Sequence, residues 1–150
     1  MVIQAESKPE NWYLHQLSPQ ELGQFIDEAR NGKENKKAFI GTVEDDAANR
    51  IKAVCGKDVS NIMLESEGVR HSYKRADHNL RDDDLLHVVD IVNTAVDIKL
   101  SVTTHQNNDC IEINKNIGGK ITLVLELRIH YGGWIAQTIR SAVTCYRHKT

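Results

Sequence analysis

Ile121-Thr122-Leu123-Val124-Leu125-Glu126-Leu127-Arg128-Ile129-His130 is the stretch on which the fold turns. Its isoleucines and leucines alternate strictly with Thr122, Val124, Glu126, Arg128 and His130. A side-chain period of two marks a β-strand with one buried face. Downstream, Tyr131-Gly132-Gly133 fits a three-residue hairpin loop, with glycine where φ must be positive. Trp134 to Tyr146 then returns with Ile135, Ile139 and Val143 on its core side. Upstream, Asn116-Ile117-Gly118-Gly119 has the composition of a turn. Before it, Ile98, Leu100 and Val102, and then Ile111 and Ile113, alternate on either side of a polar connector, Gln106 to Asp109. Residues from Ile98 to Tyr146 therefore read as a twisted antiparallel meander. The hairpin also predicts a register, because a slip of one residue would turn an apolar face outwards. A three-residue loop sets His130 opposite Trp134, Arg128 opposite Ala136 and Glu126 opposite Thr138. Glu126 and Thr138 are then neighbours on the non-core face, flanked by Arg128 and Arg140.

Ahead of Ile98 the apolar period is helical. Ser18-Pro19-Gln20-Glu21 is a capping box with proline at the first helical position, and Leu22, Phe25, Ile26 and Ala29 share one face up to Asn31-Gly32. Lys37 to Val43 and Val59 to Leu64 read as short strands. Between them lies a helix opened by Asp45 and Asp46, with Ala47, Ile51 and Val54 inward and Gly56 as its stop. Ser66 caps a further helix, and Asp82-Asp83-Asp84 opens another with Leu85, Leu86, Val89 and Val92 facing the core. The expected fold is α+β, with N-terminal helices packed on a C-terminal antiparallel sheet of about four strands. Residues 1–17 form an irregular lead-in, where Trp12, Tyr13 and Leu14 can dock, and residues 18–150 a single domain.

Composition narrows the classes. A chain of 150 residues with 40% hydrophobic and 27% charged residues suits one globular domain. No apolar run approaches the ~20 residues that span a bilayer, so no membrane association is expected. Met1 to Lys8 has no secretory pattern. Cys55, Cys110 and Cys145 lack CxxC spacing and read as buried or free thiols in a reducing, cytoplasmic setting. With a net charge of −2, any nucleic-acid partner must be met by a local basic patch.

One segment carries concentrated chemistry, Val69-Arg70-His71-Ser72-Tyr73-Lys74-Arg75-Ala76-Asp77-His78. Val69, Tyr73 and Ala76 make a narrow apolar stripe, with His71, Lys74, Arg75 and His78 on the other side. Histidine takes or gives a proton near neutral pH, and a neighbouring cation steadies a phosphorane, so this face suits metal-free RNA cleavage. A solvated basic helix face is the competing reading. His71 and His78 are about 10 Å apart along a helix axis, too far to share one ion without distortion, and no metal or other cofactor is expected. Glu126, Arg128, Thr138 and Arg140 form either a surface salt-bridge ladder or, if the helix packs beside them, part of the same cleft. Tyr131 and Trp134 either stack an RNA base or shield the hairpin. Walker, Rossmann and nucleophile-elbow patterns are absent.

The order of these features resembles the phage-borne nuclease domains of the barnase–EndoU–colicin–RelE superfamily, found at the C-termini of MuF-like and polyvalent phage proteins and in bacterial toxins. It rests on Phe39-Ile40-Gly41, the helix ending at Gly56, the Val69–His78 helix, Leu125-Glu126-Leu127-Arg128 and Gln137-Thr138, and covers roughly residues 37–146. The resemblance implies a helix-backed antiparallel sheet and metal-independent RNA cleavage, often of tRNA, through a 2′,3′-cyclic phosphate. It implies His71, Glu126 and Thr138 as catalytic residues. Substrate would be bound by Lys74, His78, Lys115, Arg128 and Arg140; Arg75, on the same helix face, and Trp134, as a stacking residue, join them on the reading of the residues alone. Gln137 stands where the family has lysine and lacks its charge; Arg140 is the expected substitute. The implied setting is a phage or prophage toxin or effector, with RNA as substrate and an immunity or antitoxin protein as candidate partner. The alternative is a catalytically inactive relative serving as a structural or interaction module.

Overall fold

Ser18 starts the first helix as its sequence requires. Its hydroxyl accepts from the Glu21 N–H at 3.2 Å, and the Glu21 carboxylate accepts from the Ser18 N–H at 2.9 Å. The resulting helix, α1 (Pro19–Asn31), buries Leu22, Phe25, Ile26 and Ala29. The protein is described by a computed structural model that covers residues 15–74, 79–102, 104, 108–130, 133–138 and 146–148, with the backbone alone at 129, 130, 133–138 and 146. After α1 come β1 (Lys37–Thr42), α2 (Asp45–Cys55), β2 (Val59–Glu65) and α3 (Ser66–Lys74). A 3-10 turn (Asp84–His87) leads into α4 (Val88–Thr94). The strands β3 (Asp97–Leu100), β4 (Cys110–Asn116), β5 (Lys120–His130), β6 (Gly133–Thr138) and β7 (Tyr146–Arg147) follow.

The α+β class is as expected, and β3 to β6 form the antiparallel meander. The sheet is larger than expected, however. Among the described residues, seven strands run in the order β1-β2-β6-β5-β4-β3, with β7 paired to β5. β2 lies parallel to β6, so the two early strands extend the meander rather than stand apart from it. A parallel pair joins segments some seventy residues apart in sequence, and alternation within each segment carries no information about that partnership.

The meander's register is one residue off the expected one. His130 pairs with Gly133, Arg128 with Ile135, Glu126 with Gln137 and Leu125 with Thr138. Gly133 therefore belongs to β6 and not to a three-residue loop; Tyr131, Gly132, Ile139, Val143 and Cys145 lie outside the described residues. The physical reason is that β5 is buried on both sides. Ile121, Leu123, Leu125 and Leu127 are fully buried against the helices, and Thr122 and Glu126 are fully buried on the opposite face. With both faces of β5 dry, the burial contrast that usually fixes register is lost.

All four helices contribute to one core. Leu22, Phe25 and Ile26 of α1, Ala47 and Ile51 of α2, Val69 of α3, and Val88, Ile91 and Val92 of α4 pack with Ile62, Leu64, Ile111, Ile113 and the leucines of β5. Some residues expected in it are not. Leu86, Leu100 and Val102 are exposed and Val89 is half-buried, whereas Leu85 and Val88 are buried, because the 3-10 turn shifts the inward face by one position. Leu17 is buried, its N–H donates to the Phe39 carbonyl, and Gln16 bridges to Phe39, so the end of the expected lead-in belongs to the fold. Trp12, Tyr13 and Leu14 lie outside the described residues.

A buried ion pair closes the far end. The Arg147 guanidinium donates to Asp84 twice, at 3.0 and 2.6 Å, and to the carbonyls of Ile117 and Gly118, each at 3.0 Å. The carbonyls belong to the β4–β5 turn, where Gly118 and Gly119 have the positive φ expected there, 64° and 126°. Among the described residues, no helix is long and apolar enough to cross a membrane.

Candidate functional site

The sheet face turned away from the helices carries a row of charge. Glu65 ends β2 and Glu126 lies in the middle of β5; both side chains are fully buried. Arg128 forks between them, Nη1 donating to Glu65 at 3.1 Å and Nη2 to Glu126 at 2.8 Å. Because β6 lies between β2 and β5, this guanidinium ties two strands across a third. Lys37 stands opposite Glu65 in the β1–β2 ladder and Cys110 opposite Glu126 in the β4–β5 ladder.

Two amides complete the cluster. Asn108 donates to the second oxygen of Glu126 at 2.8 Å, and Asn35 to the second oxygen of Glu65 at 3.3 Å. Asn108 is itself held in place by its neighbour Asp109, whose carboxylate accepts from Lys57 at 2.8 Å and whose carbonyl accepts from the Leu127 N–H. The Asp109 hydrogen bond outweighs the opposing effect of burial and raises the Lys57 pKa above its ordinary value. Charge-assisted bonds of this kind fix the orientation of a side chain more firmly than neutral ones. Glu126 is therefore set between a guanidinium and an amide, its plane defined on both oxygens.

The helix with the concentrated chemistry leaves from this cluster. α3 begins at Ser66, the residue after Glu65, which puts His71 about 8 Å along the helix axis from the end of β2. Val69 and Ser72 are buried, Lys74 is exposed, and His71 is half-buried. On its other flank α3 is stapled to α1. Arg70 donates to the carbonyls of Ala29 and Glu34, and the Arg30 guanidinium lies 3.9 Å from the Tyr73 ring centroid. Arg30, Asn31, Arg70, Tyr73 and Lys74 line an open cleft of about 390 Å³.

The expected site residues thus fall into separate groups. Glu126 and Arg128 are brought together, as their spacing implied, though in a dry setting and not on a wet face. Thr138 does not join them, because its backbone is in register with Leu125 and Gln137 takes the place opposite Glu126. Trp134 pairs with Ile129 and not with His130. Lys115 is elsewhere, bonded to Thr94 Oγ1 in a cleft of about 400 Å³ that it shares with Asn114, Asn116 and Lys120. Arg75, Ala76, His78 and Arg140 lie outside the described residues. Sequence reasoning missed Glu65, Lys37, Asn35 and Asn108. Only Glu65 carried a signal, as an acidic residue closing an apolar strand run. No family model, curated protein or solved structure matches the chain.

Proposed function

We propose that this chain is a metal-independent endoribonuclease-like domain, of the kind carried by phage or prophage toxins and effectors, with its site where α3 leaves the charged sheet face. The observation that supports this reading is the Glu65–Arg128–Glu126 fork at the root of the helix bearing His71 and Lys74. His71 is the group that takes the 2′-hydroxyl proton, and Lys74 draws in the phosphate. Full burial of Glu126 suits an orienting role toward Arg128 better than direct proton transfer to RNA, and Arg128, held by two carboxylates, leaves Lys74 as the exposed cation of this site among the described residues.

A second reading has its own support. Both carboxylates of the fork are fully buried, and the register parts Thr138 from Glu126; a non-catalytic relative that keeps the charges for sheet architecture would look the same. Incubation with total tRNA in excess EDTA separates the two. The nuclease reading expects fragments with 2′,3′-cyclic phosphate ends from the wild type and none from His71→Ala. Intact tRNA from a folded wild type, or cleavage that survives His71→Ala, would refute it.

A further inference from the structure

β3 is the terminal strand of the sheet, with α2 packed beside it. β3 pairs with β4 on one side, and among the described residues no strand pairs with it on the other. Open edges are usually blunted by charge, proline or a covering element. This one carries one charge of each sign, Asp97 and Lys99, both exposed, and also displays apolar side chains, Val96 80% and Leu100 49% exposed, with Val102 fully exposed just beyond it.

The backbone of β3 shows which groups face outwards. The Ser101 N–H donates to the Cys110 carbonyl at 2.8 Å, which directs Asp97, Lys99 and Ser101 at β4. In an antiparallel ladder the alternate residues point the other way, so Ile98 and Leu100 present their N–H and C=O groups to the open side. Two copies of this edge can pair antiparallel about a two-fold axis at any of the four strand residues, and one at Leu100 sets Lys99 against Ser101 with no charge pair. An axis at Asp97 sets Asp97 against itself, and one at Lys99 sets Lys99 against itself. Only an axis at Ile98 sets unlike charges together, Asp97 of each copy opposite Lys99 of the other. The same axis places Val96 opposite Leu100 of the second copy, apolar against apolar, and brings the outward backbone groups of Ile98 face to face.

We propose that this chain self-associates through β3, antiparallel, with the two-fold axis at Ile98. The contact is isologous, each copy giving what it receives. A strand of four residues covers far less than the area of a standard stable interface, so the dimer forms at high micromolar concentration.

Sedimentation velocity from micromolar to millimolar protein tests this. The wild type is expected to shift from monomer to dimer, with the dimer weakened by added salt. Asp97→Lys alone turns both charge pairs repulsive and should weaken dimerisation about tenfold or more. A second variant carries Lys99→Glu with Glu112→Lys. It keeps the intrachain pair, 3.1 Å between Lys99 Nζ and Glu112 in the wild type, and should also be monomeric. An equimolar mixture of the two variants restores unlike charges at both positions and should dimerise again. Circular dichroism melts confirm that each variant is folded. A wild type that stays monomeric throughout, a dimer indifferent to Asp97→Lys, or a mixture that fails to dimerise would each overturn the proposal.

Discussion

Arg128 shows how much one side chain can hold. It bridges two carboxylates that are both fully buried, and breaking a buried pair by removing one partner costs more than the pair itself contributes, because the remaining charge is stranded. Arg128→Ala is therefore expected to lower unfolding free energy by about 3–5 kcal/mol in urea titrations, whatever its effect on RNA. A change under 1 kcal/mol would mean that the fork is not a structural element. Asp84 permits a pH argument. Burial raises its pKa, but the Arg147 hydrogen bonds and charge and the Arg81 N–H outweigh that, so the carboxyl sits below its ordinary value of 3.8. A depressed folded pKa means that this stabilisation is complete above about pH 4 and is lost as pH falls through the lower, folded value. The stability gap between wild type and Asp84→Asn should accordingly be widest near pH 7 and shrink below pH 4. A gap that is constant from pH 7 to pH 3 would count against the ionised pair. At this scale the sequence was legible only where charge interrupts a strict alternation. Glu126 and Arg128 stood out as charges within a strict apolar alternation, whereas Asn35 and Asn108 bond to carboxylates 30 and 18 residues away along the chain.

Elements were easier to read than the contacts between them. The capping box of α1, the glycine stop of α2 and the alternation of β5 are local properties, written in consecutive residues, and each is present in the structure. The β5–β6 register was not, because it depends on which face is wet, and β5 has no wet face. The helix after Asp82-Asp83-Asp84 shows the same limit: its existence was legible, but the 3-10 turn that rotates Leu86 outwards was not. One contact between elements makes a sharp prediction. A Cβ added to Gly41 in β1 would lie 2.8 Å from both γ-methyls of Val89 in α4, so the helix approaches the sheet through the missing side chain. Gly41→Ala should destabilise the fold by about 1–3 kcal/mol through overpacking. Trimming the other side, Gly41→Ala with Val89→Ala, should be more stable than the sum of the two single changes predicts. Thermal or urea denaturation of the four proteins measures this coupling, and simple additivity would show that the helix moves aside without strain.

At the scale of the molecule, β6 is the strand that makes one sheet out of two. β1 and β2 pair with each other, and β3, β4 and β5 form their own ladder; among the described residues only β6 hydrogen-bonds to both groups, parallel to β2 and antiparallel to β5. It arrives late in the chain, so the early strands must wait for it, and contacts of such long sequence separation carry a high loop-closure cost before they return any stability. The helices cannot substitute for this strand. Their apolar faces share one core with β2, β4 and β5, and that core needs the two ladders side by side. A chain ending at His130 retains α1 to α4 and β1 to β5 but loses β6, the joint, together with β7 and its Arg147–Asp84 pair. It is expected to show no cooperative urea transition and little amide-exchange protection in β2, although local helix content persists. A synthetic peptide of residues 131–150 added in trans should restore protection in β2 and β5 together, since both depend on the same inserted strand. Cooperative unfolding of the truncated chain with protected β2 amides would show instead that β1 and β2 are held by the helices without β6, and β6 would then be an addition to a sheet already formed.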